Sequence, residues 1–191
     1  MSNPNIRRII GLMKKTTGSV TYATWNPSDK GAAITLSGGD LSGSKTSSAG
    51  LVRSTIGKSS GKWYWEINNA TASAIMGVAY ASAPNTDYLS STPNGWGYYG
   101  STGILYNNSI TVHTGATYTT TDVIGYALDA SAGTLAVYKN NSLQFTLTGL
   151  SGTIYAAGSG DGVLGGSWTA NFGATALTYS PPGGFNAGLY V

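Results

Sequence analysis

The amino-acid sequence predicts an all-β protein, an antiparallel β-sandwich preceded by a short N-terminal helix or extended tail. From Ser19 onward, short runs rich in Val, Ile, Thr, Tyr and Trp are separated by Gly, Ser, Asn and Pro clusters about every eight to twelve residues, which is typical of sandwiches and barrels. In the clearest run, residues 62–67, Trp63, Trp65 and Ile67 alternate with other residues. This alternation predicts a strand with one face toward a core.

Residues 1–18 differ from the rest of the chain. Asn3 and Pro4 form an N-cap and first-turn pair, and the apolar residues that follow recur at helical spacing, so a short amphipathic helix is predicted over about residues 4–15. We interpret the segment as a basic docking segment that joins the chain to a larger assembly. Packing on its own domain and association with a membrane surface are the alternatives. The predicted docking residues are its apolar and basic side chains: Ile6, Arg7, Arg8, Ile9, Ile10, Met13, Lys14 and Lys15.

Residues 19–191 are predicted to form one β-sandwich domain. A meander is expected from Asp122 to Phe145, with turns at Gly133 and at Asn140 and Asn141, because Gly and Asn tolerate the positive φ of tight turns. Three stretches rich in Gly and Ser are predicted to be loops, and loops held by a rigid scaffold usually carry the recognition residues. These predicted loops are residues 38–50, 81–103 and 157–167.

Composition excludes several classes of function. Charged residues make up 9% of the chain, against about 25% in an average soluble domain. Cysteine is absent and His113 is the single histidine, so thiol chemistry, Cys/His zinc sites and a histidine base are excluded. The seven acidic residues show no pairing signal in the sequence. We therefore predict no catalytic residue, no metal site and no cofactor, and the protein is not expected to be an enzyme.

The charge distribution argues against nucleic acid and membrane partners. Four of the ten basic residues lie in the first fifteen positions, and the remainder of the chain has six basic and seven acidic residues, too few to form a strongly basic face for nucleic acid. No run of 18 apolar residues is present, so no membrane span is predicted. Gly11 and the lysines after Met13 interrupt the apolar run that a signal peptide needs.

The loop at residues 81–103 is the predicted binding region. Tyrosine combines contact area, a hydroxyl and few rotatable bonds, which suits a protein or a cell-surface glycan as ligand. The alternative is that these aromatic rings cover one end of the sandwich. The candidate partner-binding residues are Asp87, Tyr88, Trp96, Tyr98 and Tyr99.

The remaining candidates have structural explanations. His113, Glu66 and Asp129 are expected to serve strands and turns, and the glycine-rich run at 158–162 is expected to be a flexible turn. Large aromatic residues are mostly buried, so four of them are expected in the core and not in a ligand platform. They are Trp63, Trp65, Trp96 and Phe172.

Five motifs occur in a characteristic order. They are GKWYWEI at 61–67, MGVA at 76–79, GWGYYGSTG at 95–103, DVIGYALDASAGTLAVYKN at 122–140, and NFGATAL with a closing PPGGF within 171–185. Together they resemble the SPRY (B30.2-like) domain over roughly residues 20–190. The resemblance implies a bent, concanavalin-like jelly roll of two antiparallel sheets that binds proteins through loops at one end and does not catalyse. Asn140 and Asn141 depart from the family's usual Asn-Gly turn.

The form of the domain resembles a particular group of SPRY proteins. It is compact and cysteine-free, it is preceded by TWNPSDKGAAITLSGGDL, and it lacks a RING or B-box segment, as in versions encoded among bacteriophage structural genes. The resemblance implies a multicopy or homo-oligomeric virion component, such as a fibre, tail, neck or capsid-surface protein. Its partners would be other virion proteins through residues 1–18, and a host-surface glycan or protein through the loops. A free carbohydrate- or protein-binding module is the alternative, and a glycan hydrolase is a more distant one.

Overall fold

A computed structural model describes residues 19–46 and 48–191, and in these residues the chain forms fifteen β-strands and no helix. The predicted helix or tail at the N-terminus, and all of the predicted docking residues from Ile6 to Lys15, lie outside the described residues. The strands are Trp25–Lys30 (β1), Ile34–Ser37 (β2), Ser42–Lys45 (β3), Leu51–Lys58 (β4), Lys62–Asn68 (β5), Ala74–Ala79 (β6), Gly95–Tyr99 (β7), Ile104–Asn107 (β8), Ile110–Thr114 (β9), Ile124–Asp129 (β10), Thr134–Lys139 (β11), Ser142–Leu147 (β12), Ile154–Gly160 (β13), Gly166–Asn171 (β14) and Asn186–Ala187 (β15).

The strands form two sheets. The first has the order β1-β4-β13-β6-β7-β8-β9, and the second has the order β12-β11-β10-β5-β14-β3-β2. Neighbouring strands are antiparallel throughout both orders, and the short β15 adds a parallel pairing to β5. The prediction of an all-β antiparallel sandwich is therefore confirmed.

The core between the sheets is built largely from aromatic rings. Trp65 stacks on Tyr126 with ring centroids 5.4 Å apart, and Trp25 meets Trp168 and Phe172 edge to face at 6.4 and 5.1 Å. All five side chains are fully buried. Contacts of this geometry add about 0.5–1.5 kcal/mol each beyond the burial of apolar area.

The four aromatic residues predicted to lie in the core do pack with it. Trp65 and Phe172 are fully buried, whereas Trp63 and Trp96 are half-buried at its margin. None of the four forms an open platform for a ligand.

The strand β5 is buried on both faces, although its pattern predicts only one buried face. The second face is covered by the C-terminal part of the chain, where the backbone N–H groups of Thr178 and Tyr179 each donate to the Glu66 carboxylate at 2.8 Å. Tyr64 packs over Gly125, where an added Cβ would lie 2.4 Å from the tyrosine hydroxyl. Glu66 therefore has a structural role, as its position in a strand predicts.

The meander at Asp122 to Phe145 is confirmed as the three strands β10, β11 and β12. Gly133, Asn140 and Asn141 have φ values of 67°, 48° and 65°. The two asparagines adopt the left-handed conformation that the Asn-Gly turn of the family uses.

The prediction of three loops was partly wrong. Residues 38–50 contain β3, residues 81–103 contain β7, and β13 and β14 extend into residues 157–167. The physical reason is close packing: a Cβ on Gly43 would lie 2.6 Å, and a Cβ on Gly158 2.9 Å, from the buried ring of Trp168. Glycine in these strands makes room for a large side chain from another strand and does not mark a loop.

Candidate functional site

A concave site lies on the outer face of the first sheet. Along β6, Met76 points into the core between the sheets, whereas Ile75 and Ala79 point outward. The connection between β6 and β7 crosses this outer face and buries Ala83 and Leu89 against it. Beside this connection opens a cavity of about 350 Å³, here named the tyrosine groove. It is lined by Ile75, Tyr88, Ser90, Ser91, Tyr99, Tyr106, Ser109, Asp161 and Gly162.

Asp161 connects one wall of the groove to a turn. Its Oδ1 accepts the backbone N–H groups of Val163 and Leu164 at 2.6 and 2.7 Å, and its Oδ2 accepts the hydroxyl of Tyr99. The Tyr99 hydrogen bond, the two N–H groups and the nearby Lys45 ammonium together lower the pKa of the Asp161 carboxyl, against the opposing effect of burial. The carboxylate is therefore ionised at neutral pH and holds the turn after β13 in a fixed shape.

Tyr88 forms the opposite wall, and Lys45 supports it from beneath. The Lys45 ammonium lies 4.8 Å from the centroid of the Tyr88 ring and donates to the backbone carbonyls of Asp161 and Thr46 at 2.7 and 3.1 Å. Burial lowers the pKa of Lys45, and the charge of Asp161 partly opposes this shift. The Tyr88 hydroxyl packs against Gly162, where an added Cβ would lie 2.5 Å from it. The ring is thus held from two sides.

Two aliphatic side chains project into solvent next to the groove. Val163 is 85% exposed and Leu164 is 78% exposed, and both belong to the turn that Asp161 holds. We name this pair the apolar tip, and the tyrosine groove together with the apolar tip the groove surface. Because exposed apolar groups beside a concave site mark interaction surfaces, the groove surface is the best candidate for partner binding.

The five predicted binding residues divide between two sides of the sheet. Tyr88 and Tyr99 line the groove, and the exposed Asp87 directly precedes Tyr88. Tyr98 is fully buried and donates its hydroxyl to the carbonyl of Ala116, so its placement on a binding loop was wrong.

Trp96 also points away from the groove. It is half-buried and meets Tyr80 edge to face at 5.2 Å. The physical reason is that residues 95–99 form the strand β7, whose side chains alternate between the two faces of the sheet. That the remaining residues bind a partner stays a prediction.

Apart from Tyr88 and Tyr99, the residues of the groove surface were not among the predicted binding residues. Asp161 was assigned to a flexible turn, and Val163 and Leu164 were not selected. One signal was present, since this aliphatic pair lies between Gly162 and Gly165 in a short turn, where a sandwich has little means of burying it.

The other singled-out residues have structural roles. His113 lies on β9 and stacks on Phe145 with ring centroids 5.3 Å apart. Asp129 accepts the backbone N–H of Ala132 at 2.9 Å and lies 3.3 Å from the Lys62 ammonium. Within residues 19–46 and 48–191, no group of three or more His, Asp or Glu side chains could hold a metal ion. The same part of the chain contains no helix with the length and apolar character needed to cross a membrane.

Comparison with known proteins identifies the fold. The family model described as the SPRY domain matches residues 62–159. The crystal structure of the TRIM65 PSpry domain is 20% identical with a TM-score of 0.65, and the match covers 79% of this chain and 92% of that one. The SPRY domain of human HERC1 is 19% identical with a TM-score of 0.60, and the match covers 76% and 96% of the two chains.

Stonustoxin has the same fold within a much longer chain. It is 22% identical with a TM-score of 0.64, and the match covers 79% of this chain but only 27% of the stonustoxin chain. No curated protein matches the sequence. At these levels of identity, the likeness to the solved structures shows the fold alone.

Proposed function

Because this chain belongs to the SPRY domain family, whose members are typically non-catalytic protein-binding modules, we propose that it binds a partner protein through its groove surface. We further propose that it is a multicopy component of a bacteriophage particle and that residues 1–18 are its docking segment.

One observation carries the choice of the binding surface. The apolar tip is strongly exposed, yet its backbone is held by two hydrogen bonds to Asp161, which is itself bonded to the groove wall at Tyr99. A surface that is already ordered loses little conformational entropy when a partner binds. Tyrosine rings beside aliphatic side chains are also the composition found at the centre of protein interfaces.

The same geometry argues against catalysis in the groove. Among the lining residues Asp161 is the one carboxylate, and both of its oxygens already accept hydrogen bonds from the protein. Most glycoside hydrolases use two carboxyl groups that flank the scissile bond. The groove therefore fits binding better than hydrolysis.

Charge and composition support the virion role. The basic residues are concentrated in the first fifteen positions, while the rest of the chain is close to neutral and unusually poor in charge. This asymmetry separates a basic docking segment from a body that is poor in charge and close to neutral. The compact, cysteine-free form of the domain, which resembles SPRY domains encoded among bacteriophage structural genes, supports the same proposal.

Particle incorporation tests the docking segment. The test variant has Ser in place of four basic residues: Arg7, Arg8, Lys14 and Lys15. Its amount in gradient-purified particles, measured by quantitative mass spectrometry, is expected to be at least tenfold lower than that of the wild-type chain. A Val20→Ser chain serves as the control and should be incorporated normally. Equal incorporation of the four-serine variant would refute the docking role.

Site-specific crosslinking tests the binding surface. A photo-crosslinking amino acid at Tyr106, inside the groove, is expected to capture a protein in assembled particles, and Val163→Ser with Leu164→Ser is expected to abolish the capture. The same probe at Leu143, which is exposed on β12, is the control. The groove is not the binding face if both positions capture the same protein equally.

A glycan array distinguishes the carbohydrate-binding alternative. That alternative is supported by the tyrosine and serine hydroxyls of the groove. Saturable binding of the full chain to one glycan, lost on Tyr88→Ala, would favour it over a protein partner.

A further inference from the structure

We propose that the groove surface of one copy binds residues 6–13 of a neighbouring copy, so that copies of this chain join head to tail. The inference rests on the proposed function, because it names the partner of the same surface.

The groove surface has an apolar centre and an acidic rim. The rings of Tyr88, Tyr99 and Tyr106 and the side chain of Ile75 line the groove, with the apolar tip beside them. The exposed Asp87 directly precedes Tyr88, and the ionised Asp161, whose oxygens face the protein, adds negative charge at the groove wall.

The basic charge near the groove faces inward. The Lys45 ammonium donates to backbone carbonyls beneath the Tyr88 ring, and the Lys45 side chain is buried. Within the part of the chain that the structure describes, no lysine or arginine lines the groove. The surface therefore fits a ligand with apolar anchors and positive charge.

The sequence of residues 6–13 has these properties. Ile6, Ile9, Ile10 and Met13 follow the i, i+3, i+4, i+7 spacing of anchors that an amphipathic helix inserts into an apolar groove. Basic pairs, Arg7–Arg8 and Lys14–Lys15, lie within and directly after this set, and the first acid of the chain is Asp29. Residues 6–13 thus match the groove surface in both apolar spacing and charge.

The position of Ser19 shows which copy supplies this segment. Tyr22 pairs with Tyr190, whose backbone carbonyl accepts the Lys58 ammonium, so the chain between Ser19 and β1 lies at the Lys58 end of β4. Tyr99 is level with Leu51 through the pairings of β7, β6, β13 and β4. The seven residue steps from Leu51 to Lys58 extend about 23 Å, and the four strand spacings from β1 to β7 add about 19 Å sideways. Ser19 and Tyr99 are therefore separated by about 30 Å.

This separation is too large for a chain to fill its own groove with all four anchors. The six residue steps from Met13 to Ser19 span at most about 20–22 Å when fully extended. When a linker cannot span two sites, the intramolecular contact is lost and binding between copies takes its place. A contact between two different surfaces of identical chains is heterologous and generates rings or open rows, which suits a multicopy component of a particle.

Complementation between two variants of the full chain tests the inference. The segment variant carries Ile9→Asp and Ile10→Asp, and the groove variant carries Val163→Asp and Leu164→Asp at positions that are exposed in the fold. Wild-type protein is expected to sediment with a mass that rises with concentration, and each variant alone as a monomer. Their equimolar mixture is expected to form a one-to-one dimer, because one intact segment and one intact groove remain. Leu143→Asp, at another exposed aliphatic residue, should assemble as wild type does.

A peptide of residues 1–18 provides a readout that does not depend on assembly. The peptide is expected to bind the segment variant saturably and the groove variant at least tenfold more weakly. Asp87→Lys in the full chain should weaken binding of the peptide severalfold, because a charge at the groove rim is reversed. The inference is overturned by a wild-type chain that stays monomeric, by a mixture that forms no dimer, or by equal peptide binding to the two variants. Matching circular dichroism spectra and melting temperatures establish that both variants are folded.

The two proposals can fail separately. If copies do not associate but the probe at Tyr106 still captures a different protein that the groove variant loses, the head-to-tail contact is wrong and the proposed function stands. If the probe captures nothing in assembled particles, the groove surface is not the binding face and both proposals fall. Capture of residues 1–18 of a second copy of this chain would support both.

Discussion

Glu66→Gln keeps the shape of a fully buried side chain and removes its charge. In the wild-type fold, one carboxylate oxygen accepts the N–H of Thr178 and the other accepts the N–H of Tyr179, each at 2.8 Å. Glutamine has one carbonyl oxygen and one NH2 group. In either orientation the NH2 group faces a backbone N–H, and one donor in a covered site loses its acceptor.

The cost of this change follows from the two hydrogen bonds. A buried donor without a partner costs about 1–3 kcal/mol, and replacing a charged acceptor by a neutral one at the second bond costs about 1 kcal/mol more. The free energy of unfolding should therefore fall by about 2–4 kcal/mol. For a chain of this size, such a loss lowers Tm by on the order of 10 °C.

Urea unfolding followed by tryptophan fluorescence measures this change, because Trp65 is one residue from Glu66 and is fully buried. Asp40→Asn makes the same chemical change at a half-buried turn position and serves as the control. Limited chymotrypsin digestion should also cleave the Glu66→Gln variant faster near Leu177 and Tyr179. An unfolding free energy within about 0.5 kcal/mol of wild type would refute the view that Glu66 holds the C-terminal part of the chain on the sheet.

Three further predictions follow from close packing and from pKa shifts. Gly77→Ala should lower the unfolding free energy by about 3 kcal/mol or more, because the new Cβ would lie 2.0 Å from a backbone carbonyl of β7. Gly183→Ala is the control in the same urea assay: its Cβ would have no atom within 4 Å, so the unfolding free energy should change little. Because the pKa of Asp161 is lowered in the folded protein, its carboxylate stabilises the fold above the ordinary aspartate pKa of about 3.9. The difference in stability between wild type and Asp161→Asn should therefore disappear as the pH falls through the pKa that Asp161 has in the folded protein. A difference that persists in acid would contradict this. Burial raises the pKa of Tyr118 and Tyr126 well above 10, so the contribution of these two neutral side chains to stability should be constant up to about pH 10 and be lost at higher pH. A Tm that stays flat as pH rises above 10 would be contrary to this expectation.

The elements that could be predicted from sequence are those whose signals are local. The strand β5 and the meander of β10, β11 and β12 follow from alternation of side chains and from turn residues that tolerate positive φ. The strands β3 and β13 could not be predicted, because Gly43 and Gly158 leave room for Trp168 from β14. A glycine selected by a distant side chain has the same local sequence signal as a glycine in a loop.

The candidate site was predicted in part for a similar reason. Tyrosines in a glycine-rich stretch pointed to Tyr88 and Tyr99, and both line the groove. The adjacent Tyr98 could not be told from Tyr99, since the face that each occupies depends on where β7 begins and on which side the core lies. Which side chains of β7 face the core is decided by the whole sheet and cannot be read from the five residues from Gly95 to Tyr99 alone.

The role of Asp161 could not be predicted from sequence, because it depends entirely on tertiary contacts. Its contacts with Lys45 and Tyr99 join positions 116 and 62 residues apart in the chain. The order of strands in the first sheet brings Asp161 close to Tyr99, and the packing of β3 from the second sheet brings Lys45. A Gly-Asp-Gly sequence usually indicates a simple turn. Here the same carboxylate also fixes the groove wall, so the residue that shapes the turn also sets the position of the apolar tip relative to the tyrosine rings. The recognition surface is therefore ordered by a side chain whose oxygens are turned toward the protein, and the groups left to meet a partner are the tyrosine rings and the exposed aliphatic side chains that it positions.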